Sequence, residues 1–160
     1  MQPPQALPLR KLWLDKQGEN YSMAHPFDIT APSPDARHTA HFAYSGEVRF
    51  GPPYFSLSVD GYSFGQRIFG DAHLWSPGSN LLAVQEWLTL DYSEGPITAL
   101  VIIDLRLGRE VSAVRAVKQF IVPTAFEGPI CVYRKDYGGQ PGTQRFEAIT
   151  TEITGWKALS

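Results

Sequence analysis

The sequence predicts a mainly β protein built as an antiparallel sandwich or curved sheet. Three observations carry that expectation. Glycine and proline account for 14 and 13 of 160 residues, and they are spread along the chain. That spacing cuts the sequence into short segments, which suits strands joined by turns. Aromatic residues make up 12%, and such residues favour pleated, half-buried surfaces. A hairpin-like pattern also occurs twice, about one repeat length apart. The length fits one domain, with a Pro-rich arm over residues 1–8 and a single β domain over 9–160. Hydrophobic residues at 43% and charged residues at 19% support a real core and argue against disorder.

Composition also narrows the function. Lys+Arg is 14 and Asp+Glu is 16, a formal net charge of −2. A general nucleic-acid binder normally shows a clear basic excess. The one cysteine, Cys131, excludes an internal disulfide and a cysteine-based zinc site. No run approaches the roughly 20 apolar residues that cross a bilayer. The start, Met-Gln-Pro-Pro-Gln-Ala-Leu-Pro, has no apolar stretch of secretory type. The expected compartment is the cytoplasm, with no membrane and no nucleic-acid partner.

In chain order, Pro3, Pro4 and Pro8 give a polyproline-type arm. Leu9 to Asp15 alternates and predicts a short strand, followed by a polar turn over Lys16–Asn20. Ala31-Pro32-Ser33-Pro34-Asp35 is a turn. Ser33-Pro34 precedes Ala40, and Ser76-Pro77 precedes Ala83 at the same spacing, 43 residues later. Gly51-Pro52 recurs as Gly95-Pro96, and Asp60 as Asp104, each 44 residues later. Each copy holds an apolar run, Tyr54–Val59 and then Ala99–Ile103. The expected unit is a Ser-Pro turn, a strand, a Gly-Pro loop and a second strand ending at Asp. Gly128-Pro129-Ile130 marks a degenerate third copy.

Trp75-Ser76-Pro77-Gly78-Ser79-Asn80-Leu81-Leu82-Ala83-Val84, with Leu100–Leu105 after it, resembles one blade of a β-propeller. It is similar to blades of tryptophan-aspartate repeat propellers and of the periplasmic Tol-system propeller. Ser33 to Gly61 resembles a second blade. The resemblance implies blade-like hairpins over about 75 residues. A closed ring takes at least about four blades, so the expectation is propeller-like hairpins inside a smaller sandwich or curved sheet.

One stretch departs from the β pattern. Over Arg109–Val122, the polar Ser112, Arg115, Lys118 and Gln119 gather on one arc at 100° per residue, opposite Val114, Val117 and Ile121. Gly108 precedes the stretch and Pro123 stops it. This predicts a helix near 110–121. Asp136–Gly142 is the most turn-rich loop, and Phe146–Ile153 reads as a final strand.

The chemistry-bearing residues are few. His25, His38, His41 and His73 lack the spacing of three converging metal ligands; turn or surface histidines are the simpler reading, and no metal is expected. Gly61-Tyr62-Ser63-Phe64-Gly65 has the spacing of a nucleophile elbow, but the segment Gln66–Asp71 is too short for the helix that motif needs. An Asp60-Gly61 hairpin turn explains the glycine better. Cys131 lies in an apolar run and reads as a core thiol. No phosphate-cradling glycine motif occurs, and no cofactor is expected.

Glu86-Trp87-Leu88-Thr89-Leu90-Asp91-Tyr92-Ser93-Glu94 is the most suggestive stretch. Glu86, Trp87, Asp91, Tyr92 and Glu94 form a candidate acidic, aromatic surface for a protein partner. A sugar stacked on Trp87 between two carboxylates is a second reading. A core Trp87 beside solvated acids is the third. The favoured function is a small protein-binding module without catalysis, of the kind represented by immunity proteins that block a toxin partner. The alternative is a carboxylate- or serine-dependent hydrolase using Asp71, His73, Glu86 or Ser63. A propeller-like scaffold that self-associates is a further reading.

Overall fold

The structure is a computed structural model that describes residues 24–48 and 51–159. The expected arm, the strand over 9–15 and the turn over 16–20 lie outside the described residues. The rest is built from twelve strands, and among the described residues there is no helix. They are β1 (Ile29–Pro32), β2 (Thr39–Glu47), β3 (Pro53–Val59), β4 (Tyr62–Ser63), β5 (Ile68–Trp75) and β6 (Leu81–Trp87), then β7 (Ile97–Asp104), β8 (Arg109–Val117), β9 (Phe120–Glu127), β10 (Ile130–Asp136), β11 (Phe146–Ile149) and β12 (Lys157–Ala158). One sheet of nine strands runs β1-β2-β3-β5-β6-β7-β8-β12, with β4 also on β3, and a second runs β11-β10-β9. All pairing is antiparallel. Both sheets are open, with end strands.

Strands β6 and β7 read as almost continuous apolar runs because both their faces are buried. Leu82, Val84, Val101 and Ile103 pack with Phe42, Phe55, Leu57 and Phe69 on one face. Ala83, Leu100 and Ile102 pack with Ile121, Cys131, Tyr133 and Ala148 on the other, under the small sheet. The first face is closed by curling. Trp75 Nε1 donates to the Ala31 carbonyl at 3.0 Å, although β1 and β5 stand three strand positions apart. A flat sheet would separate them by about 14 Å.

The repeat in the sequence is a repeat in structure. Cross-strand partners Ala31↔Ala40 and Ala40↔Val59 recur 43 residues later as Leu74↔Ala83 and Ala83↔Ile102. Tyr44↔Phe55 likewise recurs as Trp87↔Thr98. The Ser-Pro loops share their backbone bonds, Ser33 N to His38 O and Ser76 N to Leu81 O, both at 2.8 Å. Their hydroxyls differ in acceptor, Ser33 Oγ donating to Asp35 and Ser76 Oγ to Asn80. Ser33 Oγ accepts the His38 amide and Ser76 Oγ accepts the Leu81 amide, both at 3.1 Å. Left-handed residues follow at the same step, Ala36 (φ 63°) and Ser79 (φ 64°). The two aspartates are not equivalent, since the register sets Asp60 against Ile103. Asp60 Oδ1 accepts the Thr39 amide, whereas Asp104 Oδ1 accepts the Arg106 and Leu107 amides within its own turn.

The helix expected near 110–121 is instead the end of β8, a tight turn with Lys118 at φ 66°, and the start of β9. A β-bulge produced the helical pattern. Leu100 pairs with Val114 and Val101 with Ser112, so Ala113 is an extra residue. It shifts the alternation by one. Val111 is buried before it, and Ala116 after it. The phase slip mimics a helical period. The expected last strand ends early, at Ile149, and the chain returns to the large sheet as β12 beside β8.

Candidate functional site

A groove opens between the edge of the small sheet and a bulge in β5. The β5–β6 ladder runs from Phe69↔Glu86 directly to His73↔Val84. Gly70, Asp71 and Ala72 therefore bow out opposite Gln85 alone. Space requires the glycine: a Cβ on Gly70 would lie 2.7 Å from Trp87 Nε1 and closer still to the Gln85 amide. Gln85 is buried. Its Nε2 donates to the Ile121 carbonyl at 2.7 Å, and its Oε1 accepts from Trp87 Nε1 at 2.7 Å. Thr98 Oγ1 donates to the Gln119 carbonyl and accepts the Ile121 amide. These side chains of β6 and β7 fasten the first residues of β9 and set one wall of the groove.

The groove encloses about 650 Å³, within the usual range for ligand sites. Its aromatic floor is Trp87, Tyr92 and Phe120, with ring centroids 5.9–6.3 Å apart. Pro52, Pro53, Ala72 and Val122 line its sides, and Asp71, Lys118, Arg134 and Asp136 its rim. Arg134 Nε and the Asp136 carboxylate are paired at 2.8 Å. Burial pushes the Tyr92 hydroxyl up to about 12, and that hydroxyl has no hydrogen-bond partner among the described residues.

The five candidate surface residues separate. Trp87 is 4% exposed and forms the groove floor, and Tyr92 stands beside it. Asp91 and Glu94 are exposed on the loop that carries Tyr92. The Ser93 amide bonded to Asp91 holds that carboxyl below its usual range. Glu86 faces away from the groove, so Glu86 and Trp87 do not share a surface with the loop acids. Arg67 grips Glu86 through Nε and a terminal nitrogen, both at 3.0 Å, and reaches Glu110 at 2.9 Å. The guanidinium also lies over Phe64 and Phe69. Burial would lower the Arg67 pKa, but the two carboxylates outweigh it and hold the charge.

Of the residues named for hydrolysis, only Asp71 lines the groove. His73 packs on Phe42, Glu86 is committed to Arg67, and Ser63 Oγ accepts the Gly65 amide at 3.0 Å. Asp60 and Gly61, at φ 51° and 82°, make the tight turn between β3 and β4, and no helix follows Ser63. Burial pushes the Cys131 thiol up to about 12. His38 Nδ1 meets Asp60 Oδ2 at 2.6 Å. Among the described residues, no three His, Cys, Asp or Glu side chains are grouped to hold a metal ion, and no helix is long and apolar enough to cross a membrane.

Sequence reasoning missed Phe120, Val122, Gln85 and the β5 bulge. Phe120 and Val122 were hidden by the helical period. Gln85 did leave a signal: it is the one uncharged polar residue inside the run Leu81–Trp87, and a buried amide must find partners. No family model, no curated protein and no solved structure matches this chain.

Proposed function

We propose that this chain is a protein-binding module that takes an apolar segment of a partner protein into the groove between its sheets. The observation that carries the reading is the aromatic lining of the groove, where the half-buried Tyr92 and Phe120 pack on a buried Trp87. Rigid aromatic floors of this kind supply binding energy at interfaces. The exposed Asp91 and Glu94 on the loop that carries Tyr92 place negative charge near a rim of mixed sign, and that charge steers a basic partner toward this side of the protein. An immunity-type inhibitor of a basic toxin enzyme fits both features. Supporting this over hydrolysis, Glu86 and Glu110 are both tied to Arg67.

The test is capture of a stoichiometric partner from the native host by the tagged protein, repeated with Val122→Arg and with the double variant Asp91→Ala/Glu94→Ala. The reading expects Val122→Arg to abolish capture and the double variant to slow association, most at low salt. Equal capture by wild type and a folded Val122→Arg overturns it.

A further inference from the structure

We propose that the partner enters the groove as an extended strand added at the β5 bulge. That strand carries an apolar side chain and a carboxylate, two residues apart, on the face it turns to the small sheet. The inference rests on the groove being the recognition site, and it gives the form and chemistry of the segment taken there.

The two walls of the groove offer different groups. The β5 wall offers backbone. Gly70, Asp71 and Ala72 have no ladder partner on β3 or β6, and Asp71 and Ala72 line the groove. Phe55↔Phe69 is the one β3–β5 pair among the described residues. Two steps further, the same register sets Pro53 against Asp71, and a proline has no N–H to donate. This stretch of β5 is therefore left uncovered by β3. The Asp71 carbonyl already accepts from His73 Nδ1 at 2.7 Å, so an added strand pairs about Ala72. Unpaired strand backbone of this kind is a template for a strand from another chain.

The small-sheet wall offers side chains. β9 is an end strand, but the Ile121 amide and carbonyl are taken by Thr98 Oγ1 and Gln85 Nε2, and Pro123 has no N–H. Phe120 and Val122 stand two apart on β9, beside their β10 partners Asp136 and Arg134, and all four line the groove. An apolar contact and a charge thus sit one strand repeat apart, the spacing of same-face residues on a facing strand.

The sign of that charge follows from what is already paired. The Asp136 Oδ1 atom accepts both Arg134 Nε and the Gly142 amide, each at 2.8 Å. The terminal nitrogens of Arg134 make no bond among the described residues, and neither does the amine of the exposed Lys118. Both residues line this wall. A guanidinium with open terminal nitrogens takes a carboxylate in a forked, charge-assisted pair. On the opposite wall the exposed Asp71 repels a carboxylate, which fixes the side it occupies.

The test titrates the full-length protein with blocked peptides Thr-Ser-Glu-Ser-X-Ser-Thr, where X is Leu, Phe or Trp. At least one should bind with a Kd below about 1 mM, and Lys in place of its Glu should weaken it at least tenfold. Arg134→Gln and Lys118→Gln should each weaken the Glu peptide at least threefold and leave a peptide with Gln in place of Glu within twofold. Alternate amides of a strand point to opposite edges, so N-methylated peptides read the backbone pairing. Methylating one alternate set should abolish binding, and methylating the other should leave it within twofold. Equal loss from both sets, or loss from neither, overturns the added strand. A Lys peptide that binds as well as the Glu peptide overturns the carboxylate, and no binding by any of the three overturns the whole proposal. Partner capture that is lost in Val122→Arg is scored separately, so failure of the peptides leaves the proposed function standing.

Discussion

Trp87 Nε1 donates to Gln85 Oε1 at 2.7 Å, two residues back on the same strand and the same face. That bond, with Gln85 Nε2 on the Ile121 carbonyl, joins the groove floor to the small sheet. An isosteric apolar side chain leaves both the indole N–H and a carbonyl without partners. Each such loss costs about 1–3 kcal/mol. Gln85→Leu should therefore lose about 2–4 kcal/mol in urea unfolding, and Trp87→Ala about 3–5 kcal/mol through its cavity. Near-neutral values for both would remove Trp87 from the core.

Arg67 compensates two carboxylates that are themselves little exposed, 13% for Glu86 and 10% for Glu110. Removing it leaves like charges facing each other over an apolar floor. Arg67→Leu should cost about 3 kcal/mol, less than for a fully buried pair because Arg67 keeps some solvent contact. The triple change Arg67→Leu/Glu86→Gln/Glu110→Gln should recover part of that loss. A triple variant no more stable than Arg67→Leu would sink the charge explanation.

Several buried acids should weaken the fold at alkaline pH, and the largest shifts belong to Cys131 and Tyr92. The Cys131 thiol is raised from 9.0 and the Tyr92 phenol from 10.0, each to about 12. Both bind their proton more tightly in the folded state. Their contribution is complete below about pH 9 and is lost as pH rises toward 12, since the unfolded chain ionises first. Unfolding midpoints measured from pH 8 to 12 should fall over that window, and the fall should be shallower in Cys131→Val/Tyr92→Phe. An identical slope in both proteins would assign the effect to other groups.

The duplicated loops give a paired test. Ser33 Oγ and Ser76 Oγ make the same bond to the amide five residues on, at 3.1 Å. Ser33→Ala and Ser76→Ala should each cost about 1 kcal/mol. A difference of more than about 1 kcal/mol between them would mean that shared geometry does not carry shared energetics. The loops also touch, Asp35 N donating to Ser79 Oγ at 3.0 Å, so the double variant need not be additive.

What was legible in the sequence was local. Ser33-Pro34 and Ser76-Pro77 encode their turns within six residues, so the repeat and the β class could be read directly. Asp60-Gly61 likewise announced its hairpin. The groove depends on pieces far apart in the chain. Whether Trp87 is floor or surface is decided by Phe120 lying over it, and nothing in Glu86–Glu94 encodes that contact. Ala113 hid β9 by slipping the alternation one step, and the β5 bulge exists because Gln85 needs the room. Bulges and long-range covers are where period-based reading loses its grip.

The two copies of the three-strand unit meet at a narrow seam. Among the described residues, Phe55↔Phe69 is the only ladder pair between β3 and β5, against seven between β6 and β7. Backbone cooperativity is therefore weakest in the middle of the large sheet. The β1–β4 meander is thus joined to the second copy less by ladder bonds than by the aromatic packing of Phe42, Phe55 and Phe69 and by the Trp75–Ala31 and Asp35–Ser79 hydrogen bonds.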